Sequence, residues 1–303
     1  MKKEAIQLER VLTTNDIVFK KVFASPQNSH ILTGFINDIL ELGATDVSVE
    51  NTYAIDDFRE ENEAPEIRYT QVDVLARLED GSQVTIEMQV FPQRLFRERA
   101  FYYAANIYRL NYGKHILLDR QGGYSKGESK YSALRPVYSI CIMAENEFLE
   151  DKIPIHEFHM YDVKNKIFYR RDEKQDVVTM IFLEIKKTSE EMKRNIKTWF
   201  DYFNKGNVAK DAPKYIQEAC TIANYKNLSR EEAYLISQRQ KSMDLTQARE
   251  DYVWYEGKAE GKTEGKAEGK TEIIKILYAN GMSIEEIATK TNISEEEIEE
   301  MVR

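Results

Sequence analysis

Cysteine is scarce in this chain: Cys141 and Cys220 are the two in 303 residues. Two thiols exclude a disulfide framework and a cysteine-based zinc site, and a reducing cytoplasm is the expected setting. No apolar run approaches the ~18–20 residues of a membrane span. The opening stretch, MKKEAIQLERVLTTND, carries no apolar signal core, so no membrane role is expected. A basic surplus is also missing. With 43 Lys+Arg against 52 Asp+Glu the net charge is −9, which argues against a protein that coats nucleic acid through bulk charge. A nuclease, whose basic surface can be local, remains open. Apolar residues at 42% are too many for a disordered chain. The length suffices for one large domain or two small ones.

What is present changes character near residue 250. Apolar residues and 18 tyrosines are spread widely before it. Then comes EGKAEGKTEGKAEGKTE, whose Gly-Lys-x-Glu units run from Gly257 to Glu272, and a short tail with two helical patterns. The reading is a large domain over residues 1–255, a repeat linker over 256–272 and a helix-turn-helix-like hairpin over 273–303.

In the large domain, TTNDIVFKKVF reads as a helix capped by Thr14 or Asn15, with Asp16 in its first turn and Val18, Phe19, Val22 and Phe23 as an apolar stripe. A second helix is expected from Ser29 to Leu42, ending at Gly43. Strands are expected from about Val47 to Ile55 and from Arg68 to Val90. A helix is expected between Pro92 and Gly113, with Phe96, Ala100, Tyr103, Ile107 and Leu110 on one face. PVYSICIM, EFHMYDV and VVTMIFLEI read as further strands, with helices from Ser189 onward. This order predicts an α/β or α+β sandwich around a mixed sheet.

The stretch that carries chemistry is RYTQVDVLARLEDGSQVTIEMQV, Arg68 to Val90. Val72, Val74, Ala76 and Leu78 alternate on one face of its first strand, and Val84, Ile86, Met88 and Val90 on one face of the second. The opposite face holds Asp73, Glu87 and Gln89. A three-residue loop Glu79-Asp80-Gly81, with Gly81 left-handed, pairs Leu78 with Ser82 and sets Asp73 opposite Glu87. Opposed Cβ atoms lie ~4.5–5.5 Å apart, close enough for two carboxylates to hold one cation. A two-residue turn would shift the register by one and push a carboxylate into the apolar layer. The same residues also fit an ordinary solvent-facing strand.

Asp73, a hairpin and then Glu87-Met88-Gln89 resemble the D…(D/E)-x-K signature of the PD-(D/E)XK nuclease superfamily. The ordered set NDIVFKKVF, VDVLARLEDGSQVTIEMQ, RLFRERAFYYAANIY, PVYSICIM and FLEIKK is similar to the Rpn family of recombination-promoting nucleases and transposase-like proteins, over roughly residues 12 to 255. The resemblance implies a restriction-endonuclease-like α/β fold, a mixed sheet flanked by helices, with a C-terminal helical extension. It implies a metal-dependent DNA endonuclease tied to recombination or mobile elements. Asp73, Glu87 and the Met88 backbone carbonyl would bind Mg²⁺, with Mn²⁺ as the alternative ion. The departure from the superfamily pattern is Gln89 in place of lysine. Gln89 carries no charge and cannot act as a base, so its expected role is to orient the water or donate to the phosphate. Asp16 is a supporting candidate, as water-mediated metal ligand or as plain helix capping. Arg97 and Arg99 lie in a locally basic segment (Arg94, Arg97, Arg99, Arg109 and Lys114 against Glu98), where either one contacts phosphate or faces solvent. Tyr102 and Tyr103 fit core packing better than stacking, and His156 and His159, three apart in a strand, do not form a metal pair. The competing reading is a catalytically inactive DNA- or protein-binding module that keeps the fold.

In the repeat, Glu260, Glu264, Glu268 and Glu272 would align as like charges on a helix, and four glycines oppose helix. A flexible spacer and a helix that packs on a partner both remain. The tail has two capping boxes, Ser283 with Glu286 and Ser294 with Glu297. Its second helix, EEEIEEM, is too acidic to approach phosphates. Contact with protein is expected instead, as a homo-oligomer or with another partner, through Ile284, Ile287, Ile293 and Ile298.

Overall fold

The computed structural model describes residues 12–50, 72–112, 130–171 and 175–303. Helix α1 (Asp16–Phe23) is capped by Asn15, whose side chain accepts the backbone N–H of Ile17 at 3.1 Å and of Val18 at 3.4 Å. Its stripe, widened by Ile17, is fully buried. Helix α2 (Ser29–Leu40) stops two residues earlier than expected, because Glu41 takes the left-handed conformation.

Strands β1 (Val47–Val49), β2 (Val74–Leu78) and β3 (Gln83–Gln89) follow. The expected strand residues 51–55 and 68–71 lie outside the described residues. The β2–β3 loop has three residues. Leu78 N–H donates to Ser82 O at 2.9 Å, Gly81 N–H donates to Leu78 O at 3.0 Å, and Gly81 sits at φ +83°. Val74 therefore pairs with Ile86 and Ala76 with Val84.

Helix α3 (Phe96–Leu110) starts four residues after Pro92, behind a turn that ends on Leu95 at φ +62°. Gly113 and Lys114 lie outside the described residues. Its buried face is Phe96, Ala100, Ala104 and Ile107, and Asn111 takes the next position inward, so Leu110 points out. Then come β4 (Val137–Met143), β5 (Ile155–Phe158), β6 (Tyr161–Asp162), β7 (Ile167–Phe168) and β8 (Val178–Glu184). EFHMYDV is thus split between two sheets. The main sheet runs β1-β2-β3-β4-β8-β5, with β3, β4 and β8 parallel, and β6-β7 form a separate ribbon.

Helices α4 (Arg194–Lys205) and α5 (Lys214–Ile222) join α1 and α2 over one face of the sheet, in a core that includes Phe23, Phe35, Trp199, Ile86 and Ile140. The other face is covered by α3, through Phe96 and Ala100 on Cys141, Met143 and Phe182. This corrects the expectation of a hairpin with one buried face. As a central strand with helices on both sides, β3 buries Thr85, Glu87 and Gln89 as well as Val84 and Ile86. The architecture is a mixed α/β sheet between helical layers, with a helical C-terminal region.

The compact units are residues 1–236 and 237–303. The division falls inside helix α6 (Arg230–Ala279), which is helical through the whole repeat. In the second unit, α7 (Ile284–Thr291) and α8 (Glu295–Val302) fold back on the end of α6. Ile287 and Ile298 are fully buried against Ile274, with Ile284 and Ile293 packed around them. This corrects the expectation that these isoleucines need a partner chain, because α6 supplies the third helix. The Ser283 capping box is complete, whereas at Ser294 the forward bond alone forms, since Glu297 pairs with Lys270 at 3.0 Å.

Gly81→Ala tests the loop. A left-handed backbone costs an L-residue about 1–2 kcal/mol, and the added Cβ would lie 3.2 Å from Arg135 Nε. Denaturant unfolding should show that loss at unchanged m-value; an unaltered midpoint would contradict the left-handed loop.

Candidate active site

Asp73 directly precedes β2, one position beyond the Val74–Ile86 pair, so it lies opposite Glu87 at the end of β3. Its Oδ2 accepts the Met88 N–H at 2.9 Å. The N–H and C=O of one strand residue point to the same side. The Met88 carbonyl therefore faces the Asp73 side, while the Gln89 carbonyl accepts from Ala144 at 2.8 Å on the other. Two carboxylates and a carbonyl thus share the edge where the β2 ladder has ended.

The pair is buried. Glu87 is 7% exposed, and its Oε1 accepts no hydrogen bond among the described residues. Burial, then the charge of Asp73, pushes the Glu87 carboxyl up to about 7, with Arg99 pulling the other way. Burial raises Asp73 too; the Met88 N–H, Lys20 and Arg99 oppose the rise and Asp16 adds to it. Asp16 and Lys20, one turn apart on α1, are therefore within electrostatic reach of Asp73. Asp16 Oδ1 also accepts the Ile17 N–H at 2.9 Å, so it serves its helix end as well. Nothing in the sequence pointed to Lys20 except its place in NDIVFKKVF.

Gln89 is held at both ends of its amide. Its Nε2 donates to the Phe91 carbonyl, and its Oε1 accepts from Arg99 Nη2 at 2.8 Å. Arg99 also donates to Gln93 and lies 4.9 Å from the Phe96 ring centre and 5.9 Å from that of Tyr103. Its Nε is buried without a hydrogen-bond partner among the described residues. Of the two arginine candidates, Arg99 is the one brought to the pair. Arg97 turns away to Glu147 at 3.2 Å and over Phe148. Tyr103 is half-buried and Tyr102 is exposed.

A second acidic cluster lies two strands away. One ligand atom each from Asp151, His156 and Glu184 falls within 4.8 Å of the others. His159 is elsewhere, on Asp176 at 2.5 Å, so the two histidines do not form a pair. The Lys187 ammonium is already seated in the cluster. It contacts Glu184, donates to Asp151 at 3.1 Å and to the Phe148 carbonyl at 2.6 Å. Glu184 Oε1 accepts the N–H groups of Glu147 at 2.6 Å and Phe148 at 2.9 Å. The lysine supplies the charge that a cation would bring, and the cluster pins the loop after β4.

A mixed sheet with parallel central strands, helices on both faces and a helical C-terminal region defines a restriction-endonuclease-like α/β protein. The family described as PD-(D/E)XK nuclease family transposase matches residues 13–251, and the chain belongs to it. Nothing among curated proteins and nothing among solved structures matches the chain. No described helix is long and apolar enough to cross a membrane.

Buried Glu87, beside Asp73, makes stability depend on pH. Glu87 holds its proton up to about 7 in the folded protein and releases it near the ordinary carboxylate value when unfolded. Between these values the folded state binds more protons, so stability falls as pH rises and the full penalty stands above 7. The metal-free protein should lose on the order of 2 kcal/mol from pH 5 to pH 8. Glu87→Gln should flatten that slope. Thermal melts across the range check both, and equal slopes for the two proteins would contradict the assigned burial.

Proposed function

We propose that this protein is a metal-dependent DNA endonuclease of the Rpn type, acting on phosphodiester bonds in recombination or in the movement of mobile elements. The observation that carries the reading is the buried Glu87 carboxylate, opposed to Asp73 with an oxygen that nothing in the described protein satisfies. Opposed like charges in a buried site are unfavourable, and their oxygens fit a hard divalent cation. Asp73, Glu87 and the Met88 carbonyl would hold Mg²⁺, or Mn²⁺ in its place. The bound ion would polarise the phosphate and lower the pKa of the attacking water.

The protein's own groups do the rest. With both amide ends engaged, Gln89 seats Arg99 instead of acting on water itself. Arg99 then brings the positive charge that a lysine at position 89 would have carried, and its free Nε–H is the donor for a phosphate oxygen. Lys20 lowers the cost of ionising Asp73. Asp16, on the same helix, would hold a metal-bound water. Arg97 remains exposed for the flanking DNA backbone. Two free cysteines fit a reducing cytoplasm.

Supercoiled plasmid incubated with Mg²⁺ should be nicked or linearised, and EDTA should stop it. Asp73→Ala and Glu87→Ala should each abolish cleavage and also remove the rise in melting temperature that Mg²⁺ gives the parent protein. Arg99→Ala should lower the cleavage rate by about 10²-fold or more, the scale of losing a preorganised donor at developing charge, while keeping the Mg²⁺ stabilisation. Retained cleavage in both carboxylate variants rejects the site. DNA binding without cleavage under any divalent ion would favour an inactive binding module.

A further inference from the structure

The repeat in α6 has no function in the nuclease reading, and the inference drawn from it does not rest on that reading. Within residues 257–272, lysines recur at 258, 262, 266 and 270, and glutamates at 260, 264, 268 and 272. Every Lys–Glu separation is therefore 2, 6, 10 or 14 residues. None is three or four, so no opposite-charge pair within the repeat can form along the helix, and each four-residue step joins like charges. Lys262, Glu264, Lys266 and Glu268 are exposed. At the ends, Lys258 packs over Trp254 at 4.4 Å and Lys270 reaches Glu297. A fully polar helix needs internal pairs or an outside partner, and this one has its opposite charges where only another helix can use them.

The rows also say which partner. At about 100° per residue, the glutamate row lies about 60° to one side of the glycine row and the lysine row about 100° to the other. If two copies meet on their glycine faces with helices parallel, related by a two-fold axis along them, each lysine row lies against the other copy's glutamate row. If one helix is reversed, lysine meets lysine. The glycine row continues by the same four-residue step into apolar residues: Val253, four before Gly257, and Ile273, four after Gly269, are 61% and 59% exposed. No heavy atom lies within 4 Å of a Cβ placed on any of the four glycines, so the face is open. Each four-residue step advances the row about 40° round a straight helix, so the two copies keep their rows together by wrapping right-handedly round each other.

We propose that a second copy of this chain covers this face, forming a parallel two-fold dimer through residues 253–273 of α6. Sedimentation of the full-length protein should give twice the 35.5 kDa chain mass. Lys258→Glu, Lys262→Glu and Lys266→Glu combined should give the single-chain mass. Glu260→Lys, Glu264→Lys and Glu268→Lys combined should do the same. An equal mixture of the two should restore the double mass, and so should one chain carrying all six changes, because the reversed rows remain complementary. In a Cys220→Ser background, Val253→Cys should cross-link to its own copy under oxidation. A single-chain mass for the parent protein, or an unchanged double mass in both triple variants, overturns the proposal. Cross-linking of Val253→Cys to Ile273→Cys in preference to itself overturns the parallel arrangement.

Discussion

The three-residue loop between β2 and β3 is the constraint on which the site depends. Side chains alternate faces along a strand, so one residue more or less in that loop would send Asp73 and Glu87 to opposite sides of the sheet. Gly81, at φ +83°, lets the loop close with three residues. Leu78 then meets Ser82, and counting back five positions brings the acids together. The apolar pattern enforces the same register independently, because Val74, Ala76, Val84 and Ile86 all enter one core. Loop conformation and hydrophobic register agree, which is why a destabilising charge pair persists at this position.

Burial gives that pair its chemistry, and burial comes from the docking of α3. A hairpin with one wet face would carry two ordinary carboxylates. With Phe96 and Ala100 seated on Cys141, Met143 and Phe182, the second face becomes interior and the acids lose their solvent. The same docking delivers Arg99 to Gln89, ten residues back along the chain. The left-handed Leu95 just ahead of the helix marks the bend that aims it; a bulky residue in that conformation is rare and tends to be held by its surroundings.

These two steps divide what was legible in the sequence. Asp73 opposite Glu87 follows from period-two alternation and loop length, both local, and the structure has that register. The Asn15 cap and the Ser283 capping box were equally legible. The roles of Gln89 and the choice of Arg99 over Arg97 were not, because both arginines sit on one helix turn and its docking angle decides between them. Burial of the acid face was missed for the same reason. The tail was misread through a boundary. The hairpin over 273–303 was expected to rest its isoleucines on another protein, yet Ile274 and Leu277, at the end of α6, are the third wall around Ile287 and Ile298.

The two acidic clusters on this face of the sheet differ in how their charge is compensated. Glu184 is more deeply buried than Glu87, at 0% against 7%. Its charge is compensated all the same: two backbone N–H groups meet one oxygen, and the Lys187 ammonium contacts the other. A buried charge with that many partners holds its neighbours in place, and here it fixes the loop that carries Glu147 and Phe148, on which Arg97 rests. Glu87 has a second carboxylate where Glu184 has an ammonium. Its nearby cation, Arg99, bonds to Gln89 and not to the acids. Removing a carboxylate from water costs several kcal/mol unless a charge or donors compensate. Depth of burial does not distinguish the two clusters. The missing compensation at Glu87 does.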